Sequence, residues 1–420
     1  MKQSVAILIT NFEGGGAQKI ALTQAQLFQD LGYKVHIIAL EQQESYTIPN
    51  NLSIHFLSHN KGQDSKLKKL FQFPLLPFRL AQYLKENSIS LCISHLERAD
   101  FVNILAKPIA HHKTISIIHS HLTANYTKEG ISFRSTIYLG LVKILEQFNN
   151  RIIGVSRGIA ANLIHELHLP QDKIQVILNP FDIIDIRDKA QIPLQKYQDI
   201  FETNTIISIG RLSRQKGLWH SILAFHTVLQ NNPKLKYIIL GDGPLRDYHI
   251  QLARELGLKV YSLWDNQEFS TDYDIYFLGF QDNPFQYIAK AKALILPSHY
   301  EGLPNVLVES LIIGTPVIAS DSDSGPRELL APNTNITYKT KTLDQAEYGI
   351  IIPLDNNILT QAPYNLSPSE QYLSEAINLI INNTDLQKSY SERANTRIQD
   401  FNINTIAPQW EDLLETVLAE

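Results

Sequence analysis

Two glutamates, Glu301 and Glu309, stand eight positions apart in the run Pro297-Ser298-His299-Tyr300-Glu301-Gly302-Leu303-Pro304-Asn305-Val306-Leu307-Val308-Glu309. The short apolar run 293–297 just before it reads as a buried strand. Glu301 then falls in a loop, Pro304 suits the first position of a helix, and Glu309 lies in that helix's second turn. Both carboxylates are thereby held beside one helix start. Carboxylates accept hydrogen bonds from vicinal hydroxyls, the chemistry of a sugar or a ribose. The N–H groups of Gly302, Leu303 and Asn305, at the helix start, suit a phosphate.

A second cluster, Gly210-Arg211-Leu212-Ser213-Arg214-Gln215-Lys216-Gly217, follows the apolar run 204–210. A guanidinium fork at Arg211 with an ammonium at Lys216 suits a diphosphate, and Gly210 marks the strand exit. Gly241-Asp242-Gly243-Pro244 repeats the strand-exit pattern and reads as architecture. Near the start of the chain, Gly14-Gly15-Gly16 separates a strand from a helix, where backbone can approach an anion closely. The full G-x-G-x-x-G spacing is missing there, which argues against a nicotinamide site. His119 closes the run TISIIH, with His121 two positions on. Asp272-Tyr273-Asp274 has the look of a metal-binding pair, but it precedes a strand in a polar insert. His111-His112 and His119-x-His121 lack further ligands, so no metal is expected.

These residues need strands to carry them. Short β-branched runs at 4–10, 34–40, 53–57, 89–95, 114–119, 152–155 and 174–178 alternate with amphipathic segments such as 17–31. The pattern restarts at 204–210, 236–241, 275–278, 293–297, 316–319 and 349–352. Continuous apolar strands separated by helices imply parallel sheets covered on both faces. The expected architecture is α/β, with two Rossmann-like, doubly wound domains facing across a cleft. The first spans 1–182 and the second 203–400, with a linker at 183–202 and a closing helix in 401–420 that returns toward the first domain. In such folds ligands bind at the carboxyl edges of the strands, where the motifs above fall.

A chain of 420 residues exceeds what one core usually covers, and 44% hydrophobic with 19% charged residues excludes a disordered chain. The single cysteine, Cys92, rules out an internal disulfide and fits a reducing compartment. No stretch reaches the length of a spanning helix, which leads us to expect a cytoplasmic protein. The net charge of −5 is unevenly placed: residues 1–200 hold 21 Lys and Arg against 16 Asp and Glu, and 10 of the 14 histidines. A basic first half fits an anionic partner. Residues 61–73, with Lys61, Lys66, Lys68 and Lys69 beside Leu67, Leu70 and Phe71, fit the anionic inner face of a membrane. The negative total and the lack of a recognised motif exclude nucleic acid.

The E-x7-E spacing in EGLPNVLVES resembles the retaining glycosyltransferases of family four, which have the GT-B fold. GRLSRQKG at 210–217, GDGP at 241–244, FLGF at 277–280, the glycine loop at 14–16, Gly154-Val155-Ser156 and Asn179-Pro180-Phe181-Asp182 extend the resemblance over nearly the whole chain. Ser324-Gly325-Pro326-Arg327-Glu328 further resembles members that build bacterial surface polysaccharides and lipid-linked oligosaccharides. The resemblance implies a nucleotide-sugar donor, UDP-linked, a saccharide acceptor on a lipid carrier, and no cofactor or metal. It implies that Arg211 and Lys216 bind the diphosphate, Glu309 the ribose, and Glu301 the hexose hydroxyls, with Gly302 and Leu303 nearby. It implies that Gly15 and Gly16 bring backbone close to the phosphates and acceptor, and that a histidine lines the reaction centre, His119 matching best with His121 as its rival. Two Rossmann-like domains would also serve a sugar-nucleotide epimerase or a non-catalytic sugar-nucleotide-binding protein.

Overall fold

The computed structural model describes residues 2–13, 15–42, 52–60, 64, 68, 71–127, 132–355, 358–359 and 365–420. The chain divides into two compact units, one of residues 1–181 with 400–420, the other of 182–399.

The first unit is built on a seven-stranded sheet. Its strands are β1 (Ser4–Ile9), β2 (Lys34–Ala39), β3 (Ile54–Phe56), β4 (Ile89–His95), β5 (Lys113–Ile118), β6 (Arg151–Gly154) and β7 (Ile174–Val176). They lie in the order β3-β2-β1-β4-β5-β6-β7, every pair parallel. The order reverses at β1, so the crevice at its carboxyl end is a topological switch point. Val5 to Ile9 are wholly buried, because helices cover both faces and every second residue still meets a helix. On one face Leu76, Leu80, Leu84, Val102 and Ala106 pack on Ala6, Leu8 and Cys92. The helix Ile403–Ala419 also belongs to this unit. Trp410 meets Phe28 edge to face at 5.4 Å, and Phe181 N–H donates to the Phe401 carbonyl at 2.8 Å.

The second unit holds β8 (Thr205–Ile209), β9 (Lys236–Leu240), β10 (Val260–Ser262), β11 (Ile275–Phe277), β12 (Ala293–Leu296), β13 (Val317–Ser320), β14 (Asp344–Ala346) and β15 (Gly349–Ile352). Their order is β10-β11-β9-β8-β12-β13-β15-β14, parallel except for the β14–β15 pair. Strand order reverses at β8, again making its carboxyl end the switch point. The short edge strands β10 and β14 escape the sequence reading. Each has three residues, and Asp344-Gln345-Ala346 carries no β-branched side chain.

Residues 183–202 are not a free linker. They form the helix Ile183–Gln191 and a turn of 3-10 helix at Gln198–Glu202, and both belong to the second unit. Arg187 fastens the helix there, donating to the Ile312 carbonyl at 2.9 Å and to Asn395 Oδ1 at 2.7 Å. Only Ile183 and Ile186 of this helix are buried, too sparse an apolar pattern to read as a helix in sequence.

Candidate active site

In the second unit, β8 and β12 are neighbours, so the loops leaving their carboxyl ends lie side by side. The β8 loop turns sharply at Gly210 and again at Gly217, whose φ of +57° lies in the left-handed region that glycine tolerates. A Cβ at Gly217 would stand 2.3 Å from the Pro297 carbonyl oxygen. The two loops are stitched by backbone and side chain: His299 N–H donates to the Gln215 carbonyl at 2.8 Å, and Gln215 Nε2 to the Tyr300 carbonyl at 3.0 Å. At their meeting point Lys216 Nζ lies 2.6 Å from Glu301 Oε1. Arg211 is exposed on the same loop, and Lys216 lines a small depression with Gly210, Arg211 and Pro297.

A third loop supports Glu301 from below. Ser324 Oγ donates to the Glu301 carbonyl at 2.5 Å, and Gly325, at φ +89°, lies so close that a Cβ would be 2.6 Å from the Gly302 carbonyl oxygen. That loop is itself pinned by a buried ion pair, Arg327 Nη2 to Asp321 Oδ2 at 2.7 Å, which Thr340 N–H joins at 2.7 Å. The helix Asn305–Ile313 starts one residue later than the sequence reading placed it, with Pro304 as its cap residue. Leu303 and Pro304 are buried in the approach to it. Glu309 is buried in its second turn. Gly241 and Gly243 are architectural: Cβ atoms there would sit 2.1 Å from the Gly210 carbonyl oxygen and 2.5 Å from that of Leu212. Gly210, Arg211, Lys216, Glu301 to Asn305 and Glu309 therefore all belong to the carboxyl edge of one sheet.

In the first unit, Gly15 caps the helix Gly16–Asp30 after β1, and Gly14 lies outside the described residues. His119 directly follows β5, and His95 ends the adjacent β4. Their rings stack at 5.1 Å, and His95 Nδ1 is 2.9 Å from His119 Nε2, so one ring donates its N–H to the other. Burial, and at His95 also the neighbouring His119, drives both off their ordinary value of 6.5, His119 down to about 4. Both are neutral near pH 7, able to donate or accept a hydrogen bond without carrying charge. His95 was missed in the sequence, although ISLCISH ends on histidine just as TISIIH does. His121 has a different place: its Nδ1 accepts from Ala124 N–H at 3.3 Å at the start of a short helix, and Nε2 lies 3.5 Å from Glu166.

Asp272 and Asp274 face local partners before β11, accepting from Ser270 Oγ at 3.0 Å and from Lys259 N–H at 2.8 Å. Among the described residues, His220, Asp355 and Glu370 bring metal-type donor atoms within 4.8 Å of one another. Glu370 already caps its own helix, accepting from Ser367 N–H at 2.7 Å, and meets His220 Nδ1 at 2.7 Å. Those contacts account for the triad as a helix-capping network. Of the basic segment 61–73, Lys61, Lys66, Leu67, Lys69 and Leu70 lie outside the described residues, and Lys68 pairs with Asp64 at 2.9 Å.

Residues 194–397 match the family model of glycosyl transferases group 1, and residues 14–184 that of glycosyltransferase family 4. An uncharacterised glycosyltransferase of Methanocaldococcus jannaschii is 29% identical over 84% of this chain and 86% of its own. The Campylobacter jejuni N-acetylgalactosamine-N,N'-diacetylbacillosaminyl-diphospho-undecaprenol 4-alpha-N-acetylgalactosaminyltransferase is 26% identical over 96% of this chain and 97% of its own. Among solved structures, Anabaena HepE in complex with UDP and glucose superposes with a TM-score of 0.71 at 19% identity, covering 98% of this chain and 99% of that one. With two family models that between them take in both units, and relatives that match along nearly its full length, this chain is a glycosyltransferase of the GT-B fold, related to the group 1 and family 4 enzymes.

Proposed function

We propose that the enzyme transfers a hexose or N-acetylhexosamine, with retention at the anomeric carbon, from a UDP-linked donor to a saccharide carried on a lipid diphosphate, in bacterial polysaccharide or glycan assembly. The observation that carries the reading is the paired loop of the second unit, where Lys216, Arg211 and Glu301 share the carboxyl edge of β8 and β12. Lys216 and Arg211 offset the charge that grows on the departing diphosphate. The helix start at Gly302 to Asn305 adds N–H dipoles of the same sign, Glu309 takes the ribose hydroxyls, and Glu301 the sugar hydroxyls. The bond from the anomeric carbon to the diphosphate oxygen breaks as the acceptor oxygen bonds on the same face. The acceptor proton passes to the departing diphosphate. Positioning and electrostatics supply most of the rate, and no metal is invoked.

HepE is solved with UDP and glucose, and the Campylobacter relative's name specifies an undecaprenol diphosphate acceptor. These support the donor and the carrier respectively. A lipid-borne acceptor is reached by a cytoplasmic enzyme resting on the inner membrane face. The first unit contributes Gly15, Gly16 and the neutral His119 to the acceptor side. The test is a panel of nucleotide sugars, each incubated with and without undecaprenyl-diphosphate saccharides, with the new linkage read by NMR. Expected is an α-linked product from an α-linked donor. A sugar epimer formed without acceptor, or a β-linked product, would overturn the reading.

A further inference from the structure

The helix Phe133–Glu146 has two apolar faces, and the fold uses one. Inward, Val142 is buried, while Tyr138 packs against Phe101 at 5.6 Å and Tyr126 at 4.6 Å. Outward, Phe133, Ile137, Leu141 and Ile144 recur at steps of four, four and three residues, which aligns them along one stripe, and Phe148 follows in the turn after the helix. They are between 44% and 81% exposed, and Leu105 of the neighbouring helix adds a further exposed side chain. Four large hydrophobics in register on open surface, with exposed Phe148 in the turn that follows, exceed the scattered exposure of an ordinary soluble face.

Charge along the exposed face of the helix itself has one sign, while Glu420 stands beyond its carboxyl end, paired with Arg151 and accepting from Asn150 Nδ2 at 3.3 Å. Between Ser132 and Asn150 the only acid is Glu146, which is fully buried. The exposed charges on the helix are Arg134 and Lys143. At its carboxyl end Lys173 Nζ donates to the Gln147 carbonyl at 2.7 Å and Lys107 Nζ to that of Phe148 at 2.8 Å. Burial, and after it the proximity of Lys173 and Lys113, lowers the pKa of Lys107, against an opposing pull from Glu420.

We propose that this helix lies on an anionic lipid bilayer, its apolar stripe in the acyl boundary and its cations among the headgroups. A hydrophobic stripe flanked by lysine and arginine is the pattern of a helix in the membrane interface. A second copy of this chain fits less well, because a two-fold contact would set each cationic flank against its own like charges. The helix also has a useful direction. The chain leaves β5 at His119, so Phe133 lies toward the sheet's carboxyl edge, and the helix runs about 20 Å back to the amino edge. A bilayer along this stripe thus has the His95–His119 edge at one end of the docked face. This deepens the lipid-linked acceptor reading and rests on it only for that last point.

The test is co-sedimentation of the full chain with vesicles of phosphatidylcholine alone or mixed with phosphatidylglycerol. Wild type should bind the anionic vesicles and be released by salt. The variant Phe133→Ser, Ile137→Ser, Ile144→Ser, Phe148→Ser should lose roughly tenfold or more in partitioning while keeping its circular dichroism. Arg134→Gln with Lys143→Gln should weaken binding and flatten the salt dependence. Equal partitioning of wild type and the serine variant overturns the proposal. So does a concentration-dependent dimer that the serine variant abolishes while wild type ignores vesicles. Should transfer to lipid-linked acceptors fail while vesicle binding holds, only the acceptor reading falls.

Discussion

Lys216 Nζ and Glu301 Oε1, 2.6 Å apart, join the exits of two adjacent strands, β8 and β12. Glu301 is only 7% exposed and Lys216 22%, so the pair is screened less than a surface ion pair. In the proposed function this ammonium is the one that meets the donor diphosphate, and here it is paired with Glu301.

Replacing Lys216 by alanine should therefore do two things. UDP binding, read by calorimetry, should weaken by about 1.5–3 kcal/mol through loss of a charge-assisted contact. Stability should fall by about 1–3 kcal/mol, because Glu301 is left buried without its cation. Lys216→Ala in a Glu301→Gln background should cost less stability and the same UDP affinity. An unchanged UDP affinity in the single variant would remove Lys216 from the donor site.

Gly325→Ala tests the support beneath Glu301. Its φ of +89° and a Cβ 2.6 Å from the Gly302 carbonyl oxygen leave no room without moving that loop. Strain of about 1–3 kcal/mol is expected, measured by denaturant unfolding, along with weaker donor binding. Gly257→Ala is the control: it has positive φ too, at +78°, but open space around its Cβ. Donor affinity should fall in the first variant and not in the second.

His119 and His121 should separate in function. His119→Ala should lower kcat/KM by about a hundredfold, since a misplaced reacting group costs that much. His121→Ala should retain turnover and lose some stability as its helix start loses an acceptor. Because His119 stays neutral down to about pH 4, turnover between pH 6 and 8 should show no step from its titration. A sharp loss of kcat/KM near pH 6.5 that disappears in His119→Ala would contradict its placement.

Stability should peak in mildly acidic solution. His119 and His112, pushed down to about 4 chiefly by burial, bind fewer protons folded than unfolded between pH 4 and 6.5, so they stabilise less as pH falls through that window. Glu146 runs the other way. Burial raises it to about 7, so between roughly pH 4.5 and 7 it binds more protons folded than unfolded, and its stability contribution is lost as pH rises. Fully buried Asp100 is raised by burial and by Glu146 and acts in the same direction. Thermal unfolding of Glu146→Gln from pH 5 to 8.5 should show a flatter alkaline limb than wild type. Parallel curves would sink the assignment.

Much of this was legible in one dimension. Residue patterning alone determined that thirteen strands recur in two sets, because buried parallel strands must be continuously apolar and β-branched. It placed 210–217 after one strand and 297–305 between another strand and a helix, because strand exits and helix starts carry glycine and proline for conformational reasons any chain obeys. It could not determine which loops become neighbours. The Lys216–Glu301 pair spans 85 positions and exists only because β8 and β12 are adjacent in the sheet order. Likewise the contact of His95 with His119 spans 24 positions and depends on β4 lying beside β5. The helix Ile183–Gln191 and strand β14 were hidden for a related reason. Their local sequences bury too little to declare themselves, and it is Arg187 reaching Ile312, or Ala346 pairing with Gly349, that settles their form. Local chemistry sets what each segment can be; long-range packing decides which surfaces meet, since that depends on sheet order and not on spacing along the chain.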